Sequence, residues 1–228
     1  MDRPYVTINV AASADGKTDT FERRGAAISS AADKARVDGL RAAADAVMVG
    51  GRTLLDEDPK LTVKSADLRA GRRARGLPEN PMKVGIVSQA TLKADGDFIG
   101  AGPARRVIFT TCQTEPAQAQ ALVALGVEVY TLGEKRVDLP LALETLKNLG
   151  VERLMVEGGG TLNFELLRLG LVDELTIYVA PFIFGGEMAA TMAAGHGLAR
   201  SAAIPLRLSD VQVADDAGGV LIRYFLSR

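Results

Sequence analysis

A chain of 228 residues, 47% hydrophobic and 24% charged, is long enough to bury a core, and this composition excludes an intrinsically disordered protein. Lys+Arg 27 against Asp+Glu 28 leave a net charge of -1, so no positive field is available to hold nucleic acid or an anionic membrane surface. The single cysteine, Cys112, excludes an internal disulfide, and the single histidine, His196, leaves little to build a zinc cluster or a Ser-His-Asp triad on.

In chain order, residues 5–12 (YVTINVAA) read as a strand buried on both faces, because apolar residues dominate it. Ser29 and Ser30 precede a helix over 31–44, where Ser serves as N-cap and alanines favour the helix. Residues 46–49 form a short buried strand that ends on Gly50 and Gly51; 83–87 and 107–111 are further strands. Residues 64–81 carry Arg69, Arg72, Arg73 and Arg75 among glycines and prolines. They read as a solvated surface loop, with a phosphate contact as the alternative. Helices over 115–125 and 139–149 are closed by Gly126 and Gly150, and a strand over 127–132 lies between them. A strand over 153–156 and a helix over 161–169, stopped by Gly170, lead to a strand over 174–180. Residues 207–213 and 219–226 flank the turn 215–218 as a hairpin. The pattern is α/β: a mainly parallel central sheet with flanking helices and a C-terminal antiparallel strand pair, in a single domain over 1–228.

The richest stretch is 154–162 (LMVEGGGTL), an apolar strand that runs into three glycines and opens a helix. Glycines remove every Cβ from the turn, and a helix N-terminus offers free N–H groups, a combination suited to phosphate. The plainer alternative is a tight strand-to-helix turn. Glu157, at the strand's carboxyl end, faces a ligand or pairs with a surface cation. Residues 47–64 repeat the pattern with Gly50, Gly51 and Thr53, and two such turns suggest two sides of a dinucleotide. The trio Asp56, Glu57 and Asp58 reads as solvated or capping, not as a metal site, with Pro59 ending the helix. Asp15-Gly16 marks a turn or a loop over a cofactor; Gly185-Gly186 is a turn or part of a ligand wall; His196 is a loop histidine. No apolar run reaches about 18 residues and the first residues show no signal-peptide pattern, so a soluble, cytoplasmic protein is expected.

In this order, 6–17 (VTINVAASADGK), 47–64 (VMVGGRTLLDEDPKLTVK), 155–162 (MVEGGGTL) and 171–186 (LVDELTIYVAPFIFGG) resemble the riboflavin-pathway reductases of dihydrofolate-reductase-like fold, over nearly the whole chain. The sequence holds no Cys/His motif of a deaminase, and Asn9 stands where bifunctional bacterial deaminase-reductases carry Lys. The resemblance is thus to the stand-alone archaeal and fungal type. It implies NADPH-dependent reduction of 2,5-diamino-6-ribosylamino-4(3H)-pyrimidinone 5′-phosphate, with the deaminated pyrimidine, a dihydrofolate or pteridine, NADH, and a nucleotide-binding module without enzymatic activity as alternatives. It further implies Gly158, Gly159, Gly160, Thr161 and Leu162 around the cofactor pyrophosphate, with Ala11, Ala27, Thr53, Glu57, Ser88 and Gln89 lining the rest. Arg41, Leu61, Thr62, Lys64, Lys17 and Glu157 would surround the substrate, and Asn9, Asp15 and Glu157 would sit at the reaction centre. Lys64 replaces the Arg usual in bacterial relatives, Glu57 a family Asp, and Ser88-Gln89 departs from the common run. The reaction needs no metal, and a homodimer through the apolar stretch 174–184 is expected.

Overall fold

The computed structural model describes residues 2–226. They fall into two compact units, one of the chain up to Tyr5 with Asp38–Met155, the other of Val6–Val37 with the chain from Val156 onward.

In the first unit the strands are β2 (Ala46–Gly50), β3 (Met82–Ile86), β4 (Arg106–Thr110), β5 (Glu128–Thr131) and β6 (Arg153–Val156), in the order β5-β4-β3-β2-β6. The β2–β3, β3–β4 and β4–β5 pairs are parallel. Every residue of β2 and β3 is buried, which is why both read as continuous apolar runs without alternation. Lys83 is the exception within β3. Its ammonium donates to the carbonyls of Phe98 and Ala101 at 2.9 and 2.6 Å, and burial pushes its pKa down to about 8. Helices α4 (Pro116–Ala124) and α5 (Leu139–Asn148) end on Gly126 and Gly150 at φ +76° and +90°, in the left-handed conformation that terminates helices.

Residues 64–81 are not the expected loop. Ser65 accepts from the Leu68 N–H and caps α2 (Ala66–Ala74). The basic composition hid the helix because one arginine faces inward: Arg72 is 2% exposed and donates to the carbonyls of Pro78, Ala42 and Ala44 at 2.7, 3.0 and 2.7 Å. Arg69 donates to the carbonyls of Val63 and Lys64, Arg75 to that of Ala42, and Arg73 pairs with Glu79. These arginines are occupied by their own chain. A short helix unforeseen in the sequence, α3 (Asp97–Gly100), starts where the Asp58 carboxylate accepts from the Asp97 and Phe98 N–H groups at 2.7 and 2.9 Å. That is the capping role expected of the acidic trio.

In the second unit β1 (Tyr5–Ser13) pairs in parallel with β7 (Glu174–Ala180), which pairs antiparallel with β9 (Val220–Leu226), itself antiparallel to β8 (Leu206–Val213). The C-terminal antiparallel pair is as expected. Helix α1 (Ala31–Ala43) begins here, capped by the Ser30 hydroxyl, which accepts from the Asp33 N–H at 3.1 Å. Asp215 ties the hairpin turn down: its carboxylate accepts from the Ser30 and Tyr178 hydroxyls and from the Ala217 and Gly219 N–H groups. The hydrogen bonds, that of Ser30 foremost, hold its carboxyl below the usual range. Ile28, Tyr178, Ala180 and Leu221 form a buried cluster beside the turn. β7 lies between β1 and β9 with its backbone paired on both sides, so it has no free edge. All eight residues of β8 are exposed. No helix among the described residues is long and apolar enough to cross a membrane.

Candidate active site

The glycine turn belongs to the second unit. Past β6 the chain passes Glu157, half-buried, and enters α6 (Gly160–Arg168). Gly158 sits at φ +107°, which a side chain strongly disfavours. At Gly160 a Cβ would lie 2.4 Å from the Thr191 carbonyl oxygen. Two of the three glycines are therefore required by the path of the chain itself, more than the sequence suggested. Gly159 is the N-cap, and no side chain caps the helix. The Asn163 N–H closes the first turn on the Gly159 carbonyl at 3.0 Å. The Gly160, Thr161 and Leu162 N–H groups precede that bond and have no intrahelical acceptor. They lie at the positive end of a helix, and the side-chain-free turn before them fits a pyrophosphate.

On the same unit, the Ser13–Lys17 turn closes with Gly16 at φ +77° and the Lys17 N–H donating to Ser13 Oγ at 3.0 Å. Asp15 is exposed, and its carboxylate accepts from the Ser13 hydroxyl at 2.6 Å and from the Gly185 and Phe184 N–H groups at 2.7 and 3.2 Å. These bonds, Ser13's first, hold its carboxyl below the ordinary range. Gly185-Gly186 is thereby latched to the Asp15 turn. Asn9 is buried and Ala11 half-buried, two residues apart on one face of β1; Ala27 and His196 are exposed.

The segment 190–194 escaped the sequence analysis, yet it joins the two turns. The Thr18 N–H donates to the Ala190 carbonyl, Lys17 bridges Thr191, and the Ala194 N–H donates to the Gly160 carbonyl at 2.9 Å. Asn163 Nδ2 holds the Met192 carbonyl at 2.9 Å. The one signal was its run of small residues, which allows such close backbone approach.

In the first unit, Thr53 is half-buried in a π-helical turn (Thr53–Glu57) that takes the place of the expected short helix, with Glu57 exposed at its end. Ser88 and Gln89 follow β3 with exposed side chains, and the Ser88 carbonyl accepts from Thr111 Oγ1 at 2.7 Å. Both groups lie at the carboxyl ends of parallel strands, where open α/β sheets bind ligands. The segment 61–65 is built more rigidly than its sequence suggests. Leu61 is 1% exposed at φ +49°, an outlier for a bulky residue. Arg41 donates to the Thr62 carbonyl at 3.1 Å, Asn80 Oδ1 accepts from the Val63 N–H at 2.8 Å, and the Asp38 carboxylate accepts from the Lys64 and Ser65 N–H groups at 2.6 and 2.8 Å. Asp38 and Asn80, both buried, are supports that sequence reading missed. They fix the Lys64 backbone while its side chain stays exposed.

The RibD C-terminal domain model matches residues 4–222. A curated protein of Archaeoglobus fulgidus, 41% identical over 202 residues, covering 89% of this chain and 91% of its own, is named 2,5-diamino-6-ribosylamino-4(3H)-pyrimidinone 5′-phosphate reductase. A protein of Methanothermobacter thermautotrophicus with the same name is 39% identical, with 86% of each chain covered. Among solved structures, a pyrimidine reductase-like protein from Corynebacterium diphtheriae superposes with a TM-score of 0.83 at 20% identity, over 100% of this chain and 93% of its own. That likeness concerns the dihydrofolate-reductase-like fold alone. With a family match over both units and archaeal relatives alike over most of their length, the chain belongs to the RibD C-terminal domain family.

Proposed function

We propose that this protein reduces 2,5-diamino-6-ribosylamino-4(3H)-pyrimidinone 5′-phosphate to its ribitylamino product with NADPH, as a single reductase domain. The observation that carries the reading is the 41% identity to a reductase of that name across 91% of its length. The uncapped turn Gly158–Thr161 supports it with a cradle of the right chemistry for a dinucleotide pyrophosphate. Thr53, Glu57, Ser88 and Gln89 would hold the remainder of the cofactor, with Ala11 and Ala27 along it.

When bound, NADPH supplies the hydride. In the ring-opened substrate C1′ is double-bonded to the amino nitrogen. A hydride delivered to C1′ and a proton from water at the nitrogen would give the amine. The chain's task is to bind and orient, worth several kcal/mol when the geometry is right. Lys64 and Arg41 would meet the phosphate and ribose side; Leu61, Thr62, Lys17 and Glu157 would shape the pocket; Asn9, Asp15 and Glu157 would stand at the reacting end.

Turnover of the diamino and the deaminated pyrimidine side by side, followed by nicotinamide absorbance, tests the reading. The diamino compound is expected to show the higher kcat/KM with NADPH. A higher value for the deaminated compound would transfer the assignment to the other branch of the family, and turnover of dihydrofolate alone would discard it.

The cofactor contact has its own check. Gly159→Val places a branched side chain at the mouth of the cradle, with Gly159→Ala as the milder step. Losing a charge-assisted hydrogen bond of about 1.5–3 kcal/mol should weaken NADPH binding roughly 10–150-fold. Thermal melts separate this loss from any change in folding. An unchanged affinity in folded Gly159→Val protein would remove the cofactor from this turn.

A further inference from the structure

Asn9 is 7% exposed on β1, and its Oδ1 lies 2.8 Å from Arg36 Nη2 on α1. A guanidinium carries donors only, so the atom of the amide facing it is the carbonyl oxygen, and the NH2 group points elsewhere. Arg36 cannot swing away, because its Nε and Nη2 sit 2.8 and 2.7 Å from Asp33 Oδ1. Asp33 is itself 2% exposed. It is fixed in the first turn of α1 by the Ser29 hydroxyl, which donates to Oδ2 at 2.5 Å, and by its own N–H, which donates to Ser30 Oγ at 3.1 Å. Three links thus run from the helix cap to one amide: Ser29 to Asp33, Asp33 to Arg36, Arg36 to Asn9.

The amide nitrogen at the end of this chain meets no acceptor among the described residues. Among the described residues the buried side-chain nitrogens and oxygens without a partner are Arg106 Nε and Asn163 Oδ1, and Asn9 Nδ2 is not one of them. A cavity of about 120 Å³ borders the clamp at Asp33 and Arg36, so this corner is not closed core. The pair is half-buried, with Asp33 inside and Arg36 reaching toward solvent, and a pair of this kind adds little to stability.

We propose that Arg36, held by Asp33, is a positioning residue that locks Asn9 as a hydrogen-bond donor toward an acceptor atom of the phosphorylated pyrimidine: a carbonyl, a ring nitrogen or a hydroxyl oxygen. The proposal rests on the reading under Proposed function that Asn9 stands at the substrate. Without the clamp, no other hydrogen bond among the described residues fixes which end of the amide faces the ligand. With it, only the donor faces the ligand, and the ordering cost is met before the substrate arrives.

Three variants test this: Asn9→Asp, Arg36→Met and Arg36→Lys, each measured for kcat, KM and melting temperature with the diamino pyrimidine at saturating NADPH. Asn9→Asp keeps its oxygen toward Arg36, now as a charged pair, but replaces the donor by an acceptor. It should melt no lower than wild type and lose about tenfold or more in kcat/KM, chiefly through KM. Arg36→Met should lose roughly three- to tenfold in kcat/KM as the amide gains freedom, and Arg36→Lys, still a donor only, should recover most of it. If Asn9→Asp and Arg36→Met both stay within twofold of wild type, or if Arg36→Met merely melts lower while Asn9→Asp keeps full kcat/KM, the clamp is structural and the proposal falls. A wild-type enzyme that leaves the pyrimidine unreduced overturns the functional reading itself, a result distinct from either of these.

Discussion

Lys64→Ala is expected to lower kcat/KM by roughly 10–150-fold, the equivalent of one charge-assisted contact to phosphate worth about 1.5–3 kcal/mol. The expectation rests on the contrast between the fixed backbone and the exposed head of this residue. Its N–H is bound to the buried Asp38 at 2.6 Å, and the neighbouring N–H of Val63 and carbonyl of Thr62 are bound by Asn80 and Arg41. An ammonium on so well anchored a stem is presented at a defined place, and a point charge suffices for phosphate where a fork is absent. Arg41→Ala should differ in kind. It removes a half-buried guanidinium that also holds the Thr62 carbonyl, so a fall in melting temperature is expected beside the kinetic loss. Steady-state kinetics at saturating NADPH with parallel thermal melts separates the two. Near-wild-type kcat/KM in both variants would place the phosphate elsewhere. The three arginines of α2 and Arg75 after it are poor substitutes, since all four already bond to backbone carbonyls or to Glu79.

The second large effect is on stability. Arg72→Ala should cost about 3–5 kcal/mol, the range for breaking a buried charged network by removing one partner. The carbonyls of Ala44 and Pro78 lose this donor, that of Ala42 keeps only Arg75, and a cavity is left where a long side chain was 2% exposed. For a chain of this length that corresponds to roughly 6–20 °C in Tm. Arg72→Lys should recover only part, because one ammonium does not reproduce a fork aimed at carbonyls on both sides. Arg73→Ala, whose partner is the surface residue Glu79, should stay within about 0.5 kcal/mol of wild type. A melt of Arg72→Ala within two degrees or so of wild type would show that water replaces the guanidinium at no cost.

The sequence by itself determined those elements whose cause is local. β2 and β3 are buried on both faces, so their runs, Lys83 apart, are apolar without alternation. Gly126, Gly150 and Gly170 end helices at positive φ, which glycine alone adopts freely. The four motifs that carry the resemblance are contiguous stretches, and their order sufficed for the family. Tertiary structure decided whatever depends on partners distant in the chain. α2 looked like a loop because its arginines suggested solvent, and only the carbonyls of Ala42 and Ala44 explain why Arg72 turns inward. Three glycines in a row looked equivalent. The Thr191 carbonyl, 2.4 Å from a Cβ on Gly160, shows that one of them answers to packing, while Gly159 is the N-cap of α6. Segment 190–194 carries no motif at all, and its role exists only through hydrogen bonds to Thr18, Gly160 and Asn163. The direction of the Asn9 amide is the clearest case: an asparagine is donor and acceptor alike until a donor-only neighbour, 27 residues along the chain, takes the oxygen.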